Sequence, residues 1–443
     1  EHRLVDVSNK ITLPVLNIDQ LLEEDKNAPL ASPLRYGYQF DVDLSLDNSG
    51  EWRILNNGDR LWRLTIKSQD ALALFFKSDQ FYLPNGAQLF IYNDDASTVL
   101  GAYTSANNKS SMSFSTSLIK GDTIHLEYYE PYSVYNEGII NINAIIHDYK
   151  DLFNLSQENR GERCDDPEAC GYSTSCAEAE DYDLQMNATS FLDMRNGYVC
   201  SGTMLNNVRE NYTPYYLTAW HCIATLEEED FEDFRFYFDY TIGSSPYGGY
   251  ATGGYLISHS NGMDPDYALI LVQDFTDMPT TSGLPDGVCY AGWDASSNAP
   301  MIGFGVHHPA GESKKIIFDD DQAYSWSGVI NWGDVDEDGT DETSPYNSHW
   351  RVRWDEGGTA GGSSGSALFN NQGLLVGQLS GGNNDCVDPT LEQDCAGENS
   401  SSDCSDIVGC EWSNQECVLS ATQDFYGKFS HVFDDISQWL DPD

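Results

Sequence analysis

The chain has no cysteine before Cys164, and none of its eleven cysteines forms a C-x-x-C pair. The second absence excludes a zinc ribbon or a thioredoxin-type redox motif. Cysteines in such number read instead as disulfides of an exported protein, with an odd one left over. No apolar run reaches the length of about 18 residues that a membrane-crossing helix needs, so insertion is not expected. Positive charge is scarce: 22 lysines and arginines stand against 71 aspartates and glutamates, a net charge of −49. Such a surface repels phosphate and argues against nucleic acid or an anionic membrane as partner. It suits solubility in high salt and attracts cationic groups. The opening residues EHRLVDVSNK have neither the basic nor the apolar character of a secretory leader. The numbering is therefore expected to begin after one was removed, as in a secreted bacterial protein.

What is present is β-sheet material. A hydrophobic share of 40% over 443 residues can fill two or three cores. From about 35 to 147 the runs YGYQFDVDLSL, RLWRLTIKS, AQLFIYN and IHLEYYE alternate polar and apolar residues between turns such as NNGD and LPNG. Period two with such turns predicts an antiparallel β-sandwich, and 1–150 is read as an accessory or pro-domain without site chemistry. A short helix is expected at NIDQLLEED, capped by Asn17 or Asp19. Residues 151–163 look like an exposed connector. From Cys164 onward short strands resume at regular intervals, which predicts one or two β-barrels over 164–443. A C-terminal helix should follow, where Phe433, Ile436 and Leu440 share a face.

Two segments look inserted. Residues 383–417 carry five cysteines among polar residues, a loop that needs disulfides because its core is small. In DVDEDGTDE, Asp334, Asp336 and Asp338 alternate before Gly339, as in loops that turn oxygen ligands toward calcium. Pro345 stands where an EF-hand keeps its bidentate glutamate, so a solvated acidic turn and a structural calcium site both remain open.

The chemistry concentrates in three places. In YYLTAWHC, His221 follows a strand and precedes Cys222, which a bridge to Cys200 would pin to the neighbouring strand. In DPDYALILV, Asp266 directly precedes an apolar run, where a charge is costly unless paired. An imidazole N–H would satisfy it and fix the tautomer. Asp264 competes for that role but lies farther from the run. In GGSSGSALFN, Ser364 sits among glycines just before a strand. With Ser364 as nucleophile, Gly362 and Ser364 would offer backbone N–H groups to an oxyanion, while Gly365 allows a tight turn. Linkers share that composition, but they are not followed at once by strand, turn and strand.

The order His, Asp, Ser, with TAWHC and GGSSGS, resembles the trypsin-like serine proteases, and more closely the bacterial lysyl endopeptidases. The second likeness extends through CSGTMLNN, YAGWD, GVHHPAGESKKI, VGQLSGGNNDC, DFYGKF and ISQWLD over nearly all of 164–443. Residues 30–150 resemble, more loosely, the pro-regions of such precursors. The resemblance implies an all-β chain, a sandwich followed by a trypsin-like double β-barrel with a short C-terminal helix. It implies a secreted endopeptidase acting on proteins and peptides as a monomer, needing no cofactor for its chemistry. His221 would be the base, Asp266 its orienting carboxylate, Ser364 the nucleophile, and Asp424 the carboxylate that selects a basic side chain. A Cys164–Cys386 bridge is implied as well.

The sequence departs from that family in two places. Ser380 occupies a substrate-binding position where well-known members keep a histidine stacked on a tryptophan, which leaves lysine against arginine open. Ser363 replaces the aspartate that pairs with a freed N-terminus in digestive trypsins. Activation is therefore expected to remove a cap formed by residues 1–160, through cleavage in the connector near Lys150, Arg160 or Arg163. Two other readings are a catalytically silent binding module on the same fold and a metal hydrolase using His307 and His308. Adjacent strand residues face opposite ways, which opposes the last.

Overall fold

The computed structural model describes residues 10–29, 31–152, 164, 170–241, 249–272, 284–382, 410–413, 416–419 and 423–441. In the first half, a six-stranded and a five-stranded sheet face each other. The alternation predicted from sequence is visible in the strand Thr123–Glu130, where Ile124, Leu126 and Tyr128 turn inward to meet Trp62, Phe76 and Ile142. One pairing departs from the antiparallel scheme, because Lys10–Thr12 runs parallel to Arg60–Lys67.

Helix α1 (Ile18–Lys26) is capped by Asn17, whose side chain accepts from the Gln20 N–H, and not by Asp19. The chain next forms a two-residue strand, β1 (Leu34–Arg35), which leaves its own sandwich. It pairs antiparallel with Tyr198–Val199 of β2 (Tyr198–Leu205) in the second half.

That second half is built on two eight-stranded sheets, the first of which counts β1 as its eighth strand. The first holds β2, β3 (Tyr215–Thr218) and β4 (Ala268–Val272) as neighbours. The second holds β5 (Ala367–Asn370), β6 (Leu375–Gly382) and β7 (Asp424–Lys428), also side by side. Each sheet curls over an apolar core, and the fold is the all-β double half-barrel expected. Helix α2 (Phe429–Leu440) closes the chain and buries Phe429, Val432, Ile436 and Leu440. Phe433 lies at the edge of that face, packed on Trp293.

The two halves share a core. Tyr36, Phe75, Leu118, Ile146 and Leu152 of the first pack with Phe191, Val199, Tyr237 and Tyr240 of the second. Buried Arg195 donates to Asp193 and to the Thr116 carbonyl, while its guanidinium lies 3.6 Å from the Phe75 ring centre.

The disulfide at the start of the second half corrects the expectation. Cys164 bridges Cys176, twelve residues on and with Cα atoms 5.5 Å apart, instead of Cys386, which lies outside the described residues. A short loop closes at lower entropic cost than a long one, and the local partner is within bonding reach. Cys170 is also disulfide-bonded, and Cys289 is the free thiol among the described residues. Of the cysteine-rich insertion, a hairpin of Cys410–Ser413 with Glu416–Leu419 is described.

Candidate active site

Strand β3 ends at Thr218, and three residues later His221 sits fully buried beside the Cys200–Cys222 bridge. That bridge ties the histidine turn to the middle of β2. The neighbouring sulfurs and imidazole do not form a metal cluster, because the two sulfurs are bonded to each other. Asp266 lies two residues before β4, at 0% exposure. One carboxylate oxygen accepts from the His221 backbone N–H at 2.9 Å, and the other meets Nδ1 at 3.0 Å. A carboxylate can only accept, so Nδ1 carries the proton and Nε2 presents a lone pair. Asp266 is held at φ +60°, a left-handed geometry that costs a side-chain-bearing residue of order 1 kcal/mol. The competing Asp264 makes no such contact with His221.

Ser364 stands on the turn into β5. Its carbonyl accepts from the Ser201 N–H at 2.8 Å, and the next N–H, that of Gly365, donates to Leu379 on β6 at 2.8 Å. Gly365 is required here. It adopts φ +80°, and a methyl group would stand 2.2 Å from Thr218 Oγ1 and 2.8 Å from the Ala219 N. The serine turn is thus pressed against the end of β3, just ahead of His221. A further tie runs from β6, where Gln378 Nε2 donates to the carbonyls of Pro265 and Asp266 at 2.8 and 3.3 Å. These contacts draw the turns that carry His221, Asp266 and Ser364 together where the two sheets meet. Among the described residues no hydrogen bond joins Ser364 Oγ to His221; such contacts are often long without substrate.

The turn itself is braced without charge. Ser363 Oγ meets His307 Nδ1 at 2.8 Å and accepts from the Ala360 N–H at 3.1 Å. Burial pushes the His307 imidazole down to about 3, so it braces the loop as a neutral ring. The Gly362 carbonyl accepts from Ser201 Oγ at 2.8 Å, and Gly362 adopts φ +92°. Among the described residues, neither the Gly362 nor the Ser364 N–H donates to a protein acceptor. Two free donors on one tight turn are what a developing oxyanion needs.

Asp424 opens β7 and is fully buried. One oxygen accepts from Trp354 Nε1 at 2.7 Å and from Thr359 Oγ1 at 2.9 Å, both neutral donors. Its other oxygen faces Gly382, where a methyl group would approach within 1.9 Å, so the glycine there is obligatory. Ser380 on β6 is buried and meets His349 Nε2 at 3.1 Å. His349 packs on Trp332 with ring centres 5.6 Å apart, and burial pushes its imidazole down to about 3. The sequence pointed to Ser380 and Asp424, and to His307 only as a metal ligand and not as the brace of Ser363, but not to His349, Trp354 or Thr359. Thr359 alone carried a local signal, since it lies five residues before the candidate nucleophile.

His307 and His308 do not share a ligand position. His307 turns to Ser363, while His308 stacks on Tyr240 and its Nδ1 meets the Glu312 carbonyl at 3.0 Å. Asp334, Asp336 and Asp338 do converge, each offering an oxygen within 4.8 Å of the others. The turn is closed by bonds from the Gly339 N–H to Asp334 and from the Asp338 N–H to Asp336.

A family profile of the lysyl endopeptidase C-terminal domain matches residues 164–396. The chain is 32% identical over 209 residues to the lysyl endopeptidase of Pseudomonas aeruginosa, covering 44% of this chain and 40% of that protein. The chain therefore spans well under half the length of this curated relative. Among solved structures it is similar to a Mycobacterium tuberculosis protease in its active form, with 13% identity, TM-score 0.34, and 63% of this chain against 92% of that one. It is also similar to a thermostable serine protease of an extremophilic microorganism, with 15% identity, TM-score 0.31, and 56% against 92% covered. Likenesses this distant establish nothing about the chemistry. The profile spans more than half of the 443 residues, and on that ground the chain belongs to the lysyl endopeptidase family.

Proposed function

We propose that the protein is a secreted serine endopeptidase that cuts protein and peptide chains after lysine, with arginine also admitted. In this reading residues 1–150 are carried as a pro-domain. The observation that supports it most is the buried Asp266–His221 pair set against a serine turn with two free N–H groups. His221 Nε2 takes the Ser364 proton as Oγ attacks the scissile carbonyl. The oxyanion settles on the N–H groups of Gly362 and Ser364. His221 then protonates the leaving amine, and water reverses the sequence to release the acyl group.

Asp424 supports the basic preference. A buried carboxylate, here accepting from Trp354 and Thr359, favours a cationic side chain over an apolar one. Ser380 itself offers no ring to stack beside the substrate side chain, which keeps arginine admissible beside lysine. Fluorophosphonate labelling of the wild type but not of Ser364→Ala tests the nucleophile, and an unlabelled wild type would favour the silent binding module. Digestion of a denatured protein mixture tests the preference; cut sites without a preceding lysine or arginine would remove Asp424 from it. A calcium ion at Asp334, Asp336 and Asp338 would serve stability alone. A Tm that calcium does not raise would leave these residues as a hydrogen-bonded turn.

A further inference from the structure

The short strand β1 has no role in the chemistry just described, yet it lies beside the serine turn. Leu34 and Arg35 pair with Val199 and Tyr198, immediately before the bridged Cys200. Tyr36 and Gly37 continue the attachment, their N–H groups donating to the Gly197 carbonyl at 2.8 and 3.1 Å. The Leu34 side chain points at the oxyanion turn. A methyl group at Gly361 would stand 3.3 Å from Leu34 Cδ1, and one at Gly362 would stand 3.4 Å from Cδ2. The same Cδ2 would lie 3.3 Å from a methyl at Gly311, which abuts Gly362.

The side of the crevice it occupies follows from the two sheets. The acyl half of a substrate must place its side chain toward Asp424, which lies between the strands β6 and His349–Val352 of the second sheet. The remainder of the substrate, beyond the scissile bond, has to leave past the opposite flank of Gly362, toward the start of β2 at Tyr198–Val199, whose backbone β1 pairs. Leu34 and Arg35 sit on that flank. An extended peptide leaving by that route would use the same backbone edge of β2 that β1 already pairs, so both cannot be present.

Arg35 would itself be a basic residue in reach of a protease, but it is turned away. Its Nε donates to Asp25 at 2.7 Å, and its Nη2 meets Glu24 at 3.1 Å, both on α1. Asp25 is in turn held by Lys150 at 2.7 Å and by the Tyr149 hydroxyl at 2.7 Å. The strand is thus clamped by its own half and presented to the crevice without offering a scissile bond to Ser364.

We propose that Leu34–Arg35 is a built-in inhibitor that fills the leaving-group side of the crevice without itself occupying the positions of Ser364 or Asp424. This deepens the endopeptidase reading and rests on it. The expected signature is a dependence on leaving-group length. The full chain should hydrolyse a lysine ester or anilide, which has no residues beyond the scissile bond, at a measurable rate. It should cut a peptide extended by three residues beyond that bond at least about tenfold more slowly than Leu34→Gly does. Leu34→Gly should leave the ester rate unchanged, and Leu34→Ala, which disturbs the fold less, should fall between the two.

Equal rates on the extended peptide for wild type and both variants would overturn the proposal. Fluorophosphonate labelling of Ser364 is read in parallel, so a dead nucleophile is recognised as a failure of the catalytic reading and not of this one. Fluorescence anisotropy of the extended peptide on the Ser364→Ala chain then decides independently of turnover. Binding tightened about tenfold by adding Leu34→Gly supports the blocked flank, and unchanged affinity excludes it.

Discussion

At the scale of single residues, the site depends on two buried carboxylates with different duties. Asp266 spends both oxygens on His221, one on the backbone N–H and one on the ring. Asp266→Asn keeps the shape and a bond to the backbone, but its amide favours the wrong imidazole tautomer. We expect kcat on a lysine ester to fall by about 10⁴ with KM little changed. A fall of less than tenfold would mean that the ring is positioned by something else. Asp424 touches the substrate instead of the base. Asp424→Asn should lower kcat/KM for lysine substrates by roughly 10²–10³, the size of losing one partner of a buried charge pair, while fluorophosphonate labelling stays intact. Loss of both readouts would mark Asp424 as structural.

How legible these residues were in the sequence depended on the range of their contacts. His221, Asp266 and Ser364 each stand next to a local signal: a cysteine, an apolar run, a cluster of glycines. The residues that steady them do not. His307 lies 56 positions from Ser363 and His349 lies 31 from Ser380. Neither pairing has a spacing that a strand or helix period would reveal, since the partners meet only when the second sheet folds.

At the scale of elements, period two carried sandwich strands such as Thr123–Glu130, where alternate residues are less buried, whereas barrel strands such as Ala367–Asn370 and Asp424–Lys428 are buried on both faces and were legible only as short apolar runs at regular intervals. Helix α2 is legible at period 3.6 because one face is buried, and Phe429 and Val432 extend that face beyond Ile436 and Leu440. Strand β1 was not legible. Two residues have no period, and their pairing partner lies more than 160 positions away. The Cys164 bridge was misread because a long-range pairing taken from relatives yielded to a nearer thiol.

The serine turn offers a test at this scale, because crowding and backbone strain can be separated. Gly365→Ala adds a methyl group at φ +80° and within 2.2 Å of Thr218 Oγ1 and 2.5 Å of the Ser201 carbonyl. Gly339→Ala, at φ +91°, meets nothing within 4 Å. The second should cost only the left-handed penalty of about 1–2 kcal/mol. The first should cost at least a further 1–3 kcal/mol for overpacking and should suppress labelling of Ser364. Similar urea midpoints for the two variants would mean that the turn is not wedged against β3.

At the scale of the whole molecule, the question is whether cutting the connector frees the crevice. No cysteine precedes Cys164, so a chain cut between Lys150 and Arg163 has no covalent link between its halves. What remains is a shared apolar core and a set of buried bonds. Arg195 reaches the Thr116 carbonyl, and Arg235 donates to Ser117 Oγ at 2.9 Å and to the Ser115 carbonyl at 3.0 Å. The Tyr36 hydroxyl donates to Asp193 at 3.3 Å. Separation would strip partners from buried guanidinium groups, at about 1–3 kcal/mol or more each. The partly exposed pair Lys77–Asp230 contributes little by comparison and weakens with salt. Salt also screens the mutual repulsion of two acidic surfaces, which favours association. The cut halves should therefore co-elute in size exclusion at micromolar concentration in both 0.15 M and about 1 M salt, parting only in denaturant. The extended peptide should remain a poor substrate after that first cut, and improve once the first half is itself digested. Halves that elute apart at 0.15 M salt, or a nicked chain already fully active on the extended peptide, would show that the interface does not outlast the connector.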